Sequence, residues 1–289
     1  MPAYTYNTND DPKSLTGRGV HNSETFETHF PAKNIPLGLT MIDIPSGAHY
    51  GISSYIDGVE PVDTKSFDDF YATVHLDASD DTISLGAGCT WLDVSKWDLE
   101  FQFGTQSIKG HMESFWPEQD FPITFDRPFE EVPKIVIWVH SLNTDGDRAY
   151  EWNVVTHAED VTTTGFKLRM ESGGTNFMHP ELRANIYKYE VSWVAVPQGW
   201  PNVATGSCEV CKDGKPLPEY KKEVKFDKSF KRTPRVIVAL NKISTSNEHG
   251  LRIGVSAEDV TPEGMTLSFK TWDECVIYKA SAEYIAIVD

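Results

Sequence analysis

Cysteine is scarce, long apolar runs are missing and positive charge is in deficit, and each shortage excludes something. The 289-residue chain has four cysteines, Cys89, Cys208, Cys211 and Cys275, and a chain of this size needs no disulfide framework. Cys208-Glu-Val-Cys211 has no second Cys or His pair near it and no βαβ pattern around it, so neither a zinc site nor a redox motif is indicated. It reads as two linker thiols able to pair. No apolar run approaches the ~18 residues of a membrane span, which argues against membrane insertion. The start, Met-Pro-Ala-Tyr-Thr-Tyr, shows no basic region followed by an apolar stretch, so no secretory signal is visible. The expected location is cytoplasmic, or outside the cell by a non-classical route.

Lys and Arg total 26 against 43 Asp and Glu, for a net charge of −17. Residues 205–289 are balanced, so the excess lies in the first two-thirds. A surface this acidic repels phosphate backbones, and no basic stripe with interleaved aromatics offsets it, so nucleic acid is excluded as a partner. Gly-x-Ser-x-Gly, His-Glu-x2-His and phosphate-loop motifs are absent too. The nine histidines are scattered. No catalytic residue, metal ligand or cofactor is assigned, and an enzyme is not expected. Asn143-Thr-Asp145-Gly146-Asp147 has its Gly misplaced for a calcium loop and reads as an Asp-Gly turn.

What the chain does contain is a sequence written twice. Phe125-Asp-Arg-Pro-Phe129, Pro133 and Ile135-Val-Ile137 return as Phe226-Asp-Lys-Ser-Phe230, Pro234 and Val236-Ile-Val238, 101 positions later. Ala158-Glu-Asp-Val-Thr162 returns as Ala257-Glu-Asp-Val-Thr261 at an offset of 99. An apolar skeleton kept in register over that length marks a small repeated domain. A more diverged copy precedes it: Leu37–Asp43 lines up with Ile137–Asn143 at an offset of 100. The expected divisions are 1–107, 108–200 and 201–289, with linkers near 104–110 and 198–216.

The last copy shows the fold most clearly. Val236–Leu240 is a short apolar strand. Leu251, Ile253 and Val255 alternate with Arg252 and Gly254, and Met265–Phe269 alternates again, the period of half-buried strands. Thr261-Pro-Glu-Gly264 is a turn between them. Val276–Tyr278 and Tyr284–Val288 are expected as two further strands, with their counterparts in the middle copy at 185–187 and 191–196. In the first copy, 97–103 is expected as the closing strand, and Trp91 is a loose match to Trp272. No stretch has a helical period. The expectation is an all-β chain of tandem small antiparallel β-sandwiches.

The order of these features resembles the H-type lectin domain. The pattern is Phe-x3-Phe-x3-Pro-x-Val-x-Val, an alternating strand with Arg, (Asp/Asn)-Val-Thr-x2-Gly, Trp-Asp before Ile-Tyr, and a closing aromatic-apolar strand. That domain is the sugar-binding module of snail agglutinins and of the C-terminal half of slime-mould discoidins. The resemblance implies a six-stranded sandwich, a trimeric assembly, and non-catalytic binding of N-acetylgalactosamine or galactose near the interface of neighbouring domains. The partners it implies are glycans. Three linked copies could form an intrachain pseudo-trimer, or whole chains a homo-oligomer.

A galactose-type sugar asks for an aromatic against its apolar face, a cation donating to its oxygens and a carboxylate or amide accepting from its hydroxyls. The last copy has all three where the resemblance puts them: Arg252 on the second strand, and Trp272 and Asp273 in the loop after Phe269. The turn at 244–250 adds Ser246, Asn247 and His249 as polar candidates. Asp273 departs from the family, which often has His there. Plainer readings stand beside these: Arg252 as a solvated or ion-paired surface residue, and Trp272 as packing for the open end of the sandwich. Gly51 and Asn153 occupy the Arg252 position in the other copies, and 171–182 is an insertion. The alternative to a lectin is therefore a structural or adhesion protein that uses its repeats for protein–protein assembly.

Overall fold

The computed structural model describes residues 5–28, 35–47, 49–61, 70–93, 100–109, 118–144, 151–173, 186–211, 218–246 and 248–288. All regular structure among them is β-strand. The first set is β1 (Thr5–Asn7), β2 (Gly17–Arg18), β3 (His21–Thr28), β4 (Leu37–Ile44), β5 (Tyr50–Pro61), β6 (Phe70–Ala78), β7 (Ile83–Ser84) and β8 (Gly86–Trp91). The second is β9 (Gln102–Lys109), β10 (Glu118–Thr124), β11 (Lys134–Thr144), β12 (Glu151–Glu159), β13 (Gly165–Gly173) and β14 (Ile186–Val196). The third is β15 (Val203–Cys211), β16 (Glu219–Lys225), β17 (Arg235–Ser246), β18 (Leu251–Glu258), β19 (Gly264–Lys270) and β20 (Ile277–Ile287).

Each set folds as two three-stranded antiparallel halves. In the third set these are β15-β20-β17 and β18-β19-β16; β9-β14-β11 with β12-β13-β10, and β1-β8-β4 with β5-β6-β3, repeat the plan. Each half then joins edge to edge with a half of another set. β5 pairs with β11, β12 with β17, and β18 with β4, all antiparallel. The result is three six-stranded sheets, every one shared between two sets, plus the small β2-β7 pair. The chain closes on itself as an intrachain pseudo-trimer rather than as separate beads. The pairing also removes the most exposed edges, which would otherwise template association with other chains. Of the edges that remain, β16 is guarded by charge, its Lys and Glu residues all exposed.

The sheets place the core. One apolar cluster fills the sandwiches, with Trp91, Tyr189, Phe269 and Leu267 among its buried members. A second cluster lies where β4, β11 and β17 converge, and includes Val136, Trp138, Val194, Ile237, Ala239 and Ile285. The equivalent residues Gly38, Trp138 and Ala239 meet there. A Cβ on Gly38 would come within 2.5 Å of the Cβ atoms of both Trp138 and Ala239. One indole fills space that three equal side chains could not share, so the axis is packed asymmetrically. Polar groups are asymmetric as well. The Leu37 amide donates to Ser192 Oγ at 3.3 Å, whereas the equivalent Ile137 amide donates to Glu283 Oε2 at 2.6 Å. Asn241 Nδ2 donates to Glu283 Oε1 at 2.8 Å.

Several expectations change. The proposed linkers at 104–110 and 198–216 hold strands β9 and β15, which lie on sheet edges. Cys208 is buried and Cys211 exposed, and both are free. Side chains three apart on a strand point to opposite faces, so they cannot pair with each other. The paired strands expected at the end of the second and third copies are single long strands, β14 and β20, that run past a bulge in their partners. In the first copy the closing strand is β8, not 97–103. Residues 97–99 lie outside the described residues, and Gln102 and Phe103 open β9. Trp91 is a buried residue at the end of β8, opposite Leu37, and not a loop counterpart of Trp272. The 145–147 turn lies outside the described residues.

Burial pushes the Glu283 carboxyl up to about 8, with the Ile137 amide and Asn241 opposing the shift. Its ordinary value is 4.5, so between these values the folded chain holds a proton that the unfolded chain releases. Stability is therefore lost as pH rises through that window. Glu283→Gln, with Asn241 turned over to accept from the new amide, removes this dependence. Thermal melts from pH 5 to 8.5 are expected to show the parent losing stability relative to the variant, by roughly 2–4 kcal/mol over the window. Parallel curves would contradict the assignment.

Candidate functional site

The junction of β18 with β4 brings the last copy against the first. In its register Arg252 stands directly opposite Asp43, and Ile253 opposite Ile42. Leu251, Ile253 and Val255 turn into the core and Arg252 to the other face. Arg252 is nonetheless only 9% exposed, because it packs against Asp43 of β4, the His249 carbonyl and Asp273. Arg252 Nε donates to Asp43 Oδ1 at 3.2 Å, and Nη1 to the His249 carbonyl at 2.8 Å. Nη2 lies 3.5 Å from Asp273 Oδ2. Trp272 Nε1 donates to the second Asp43 oxygen at 3.1 Å. One carboxylate thus orients both the guanidinium and the indole, and it comes from a different copy.

Local structure sets the loop that carries the aromatic. Asp273 and Glu274 both adopt positive φ, at 49° and 61°, and the Cys275 amide donates back to the Trp272 carbonyl at 3.1 Å. This tight turn lifts Trp272 over Gly254, where a Cβ would stand 3.9 Å from the ring. Beneath, Cys275 is buried, accepts from the Arg252 amide at 3.4 Å and donates to the Gly250 carbonyl at 3.3 Å. Burial raises its thiol's pKa, which suits a neutral structural thiol rather than a nucleophile. Gly250 has φ 86°, and a Cβ there would collide with the Ile44 carbonyl.

Of the residues expected from sequence, Arg252, Trp272 and Asp273 come together. Asp273 is the exposed member, with 69% of its side chain open. His249 contributes its backbone carbonyl to Arg252. Ser246 ends β17, and nothing is described of its side chain; Asn247 lies outside the described residues. Sequence reasoning missed Asp43. Its signal was present in the alignment of Leu37–Asp43 with Ile137–Asn143, but only the closed ring shows that this strand end faces the last copy. The other two junctions differ. Gly51 stands opposite Asn143, and Asn153 opposite Ser244. A Cβ at Gly51 would overlap Ser79 Oγ, so no longer side chain fits that position.

The arrangement holds one cation against two carboxylates, beside an indole. Such a set donates and accepts hydrogen bonds without net positive charge, which favours a neutral polyhydroxylated ligand over a phosphate or carboxylate. Breaking the buried pair from one side leaves its partner uncompensated. Asp43→Ala and Arg252→Ala are each expected to destabilise the fold by about 2–4 kcal/mol, and the double variant by clearly less than the sum. Strict additivity in denaturant titrations would show that the pair is not coupled.

The domain model described as the H-type lectin domain matches residues 120–196 and 221–287. The chain is 36% identical over 69 residues to the Fuscovulum blasticum protein named ATP synthase subunits region ORF 7, a match covering 24% of this chain and 60% of that protein. It is 31% identical over 109 residues to a Discoidin-1 polypeptide of Dictyostelium discoideum, covering 37% of this chain and 43% of that polypeptide. The chain therefore spans about half the length of the curated relatives it matches. Recombinant discoidin II of the same organism is a solved structure with 13% identity and a TM-score of 0.27, covering 64% of this chain and 94% of that one.

Proposed function

We propose that this chain, which belongs to the H-type lectin domain family, binds neutral glycans of the N-acetylgalactosamine or galactose type, without catalysis. The observation that carries the reading is the Arg252–Asp43–Trp272 constellation, built across two copies of the fold. Arg252 and Trp272 are held in place before any ligand arrives, so little side-chain entropy is lost on binding. Asp43 and Asp273 accept from adjacent sugar hydroxyls, the free guanidinium N–H groups donate to a ring-edge oxygen, and the indole covers the apolar face.

Screening the chain on a glycan array, followed by calorimetry with methyl N-acetylgalactosaminide, tests this. Arg252→Ala and Trp272→Ala are each expected to weaken binding at least tenfold, and free N-acetylgalactosamine to compete with the immobilised glycan. An array with no binding, together with variants indistinguishable from the parent, would favour the protein–protein assembly role instead. The absence of an Arg at Gly51 and Asn153 is the observation on that side.

A further inference from the structure

The β5/β11 junction is related to the Arg252 junction by the pseudo-threefold arrangement, but its surface is built differently. Its outward face runs across four strands. Gly51, Ser53 and Tyr55 lie on β5, with Asp77 on β6, opposite Ser53, and Ser79 just beyond that strand's end; Ser141 and Asn143 lie on β11, and Lys188 on β14. The small residues form a floor and the long ones form walls. Where the other junction holds Arg252, this one has Gly51 under Ser79, and the space opens into a cleft of about 280 Å³.

The groups in the cleft are fixed by their own bonds. Ser53 Oγ and Ser141 Oγ lie 2.6 Å apart across the junction. Lys188 Nζ is 3.4 Å from Ser53 Oγ and 2.8 Å from Glu190 Oε2. The Tyr55 hydroxyl donates to Asp77 Oδ2 at 2.8 Å. The Tyr55 ring stacks on His75 at 4.5 Å and 6°, yet remains 39% exposed. Lys188 is already paired with Glu190, and Asp77 Oδ1 lies 3.2 Å from the His21 ring nitrogen Nδ1.

We propose that this cleft is a second saccharide site, with Tyr55 as its apolar platform, Asp77 and Asn143 accepting from hydroxyls, and the Lys188 ammonium donating in place of a guanidinium. The inference rests on the lectin reading above but names a different site with a different donor set. A compact ammonium lacks the planar fork of Arg252, so the two sites differ in which hydroxyl pattern they favour. With Lys188 paired to Glu190 and Asp77 adding a carboxylate, the cleft disfavours an anionic ligand and suits a neutral sugar, and its volume suits a single residue of a glycan. A chain with two such sites can bridge two glycans without whole chains associating, and avidity follows from the fixed spacing within one folded unit.

The test is calorimetry and amide chemical-shift mapping with the methyl glycosides of galactose, N-acetylgalactosamine, glucose, mannose and fucose. The full-length chain is compared with Arg252→Ala, Tyr55→Ala, Lys188→Met and the Arg252/Tyr55 double variant, all checked by thermal melting. Trp272→Ala stands in if Arg252→Ala does not fold. The expected result is that Arg252→Ala keeps binding to at least one glycoside, with shifts at Ser53, Tyr55, Asp77 and Ser79. Tyr55→Ala and Lys188→Met should weaken that binding at least tenfold, and the double variant should bind nothing. If Arg252→Ala or Trp272→Ala alone abolishes all binding, the second site is refuted and the lectin reading stands. If Tyr55→Ala alone abolishes it, the cleft is confirmed and the Arg252 assignment fails. A parent that binds none of the glycosides refutes both.

Discussion

Antiparallel pairing between the second long strand of one copy and the first of another is the interaction on which everything else depends. It occurs three times, as β5 with β11, β12 with β17 and β18 with β4. Each pairing joins two three-stranded halves into a six-stranded sheet, and the three together close a ring within one chain. A three-stranded half with an open edge would be a poor unit by itself. Sharing sheets satisfies the edges, buries the convergent β4, β11 and β17, and creates three junctions where side chains of different copies stand in register.

Duplication within one chain frees the copies to differ, and the axis shows how. Gly38, Trp138 and Ala239 could not all be large, nor all be small without leaving a void. Ser192 and Glu283 occupy equivalent places and accept equivalent backbone N–H groups, but only Glu283 carries an ionisable group into the interior. The junctions have diverged in the same way. One holds Arg252 against Asp43, one holds the Gly51 cleft, and one pairs Asn153 with Ser244. The shared backbone frame persists while the chemistry exposed on it changes.

The individual strands were legible where the pleat alternates between core and solvent, as in β18 and β19, and the turn at 261–264 carried its own signature. The sandwich class followed from those elements. β15 and β16 were not legible. β16 is an edge strand of exposed Lys and Glu. β15 buries Val203, Ala204, Cys208 and Val210 in a stretch whose Gly206 and two cysteines read as a linker with two thiols, when Cys208 and Cys211 lie on opposite faces of one strand. Trp91 misled because an aromatic near the end of a copy fits a loop or a buried strand equally well. Arg252 and Trp272 could be picked out by residue type and order. Asp43 could not, because a contact spanning 209 positions exists only once the ring closes. Reading the copies as partners that share sheets, rather than as independent domains, is what makes that residue visible.

The central claim is that saccharide is held by two copies at once, at a strand junction. A crystal structure of the chain with N-acetylgalactosamine bound tests it most directly. The account predicts density for the sugar packed on Trp272, with hydroxyls bonded both to Asp43 from the first copy and to Arg252 or Asp273 from the last. A sugar contacting one copy alone, or bound away from every strand junction, would contradict it.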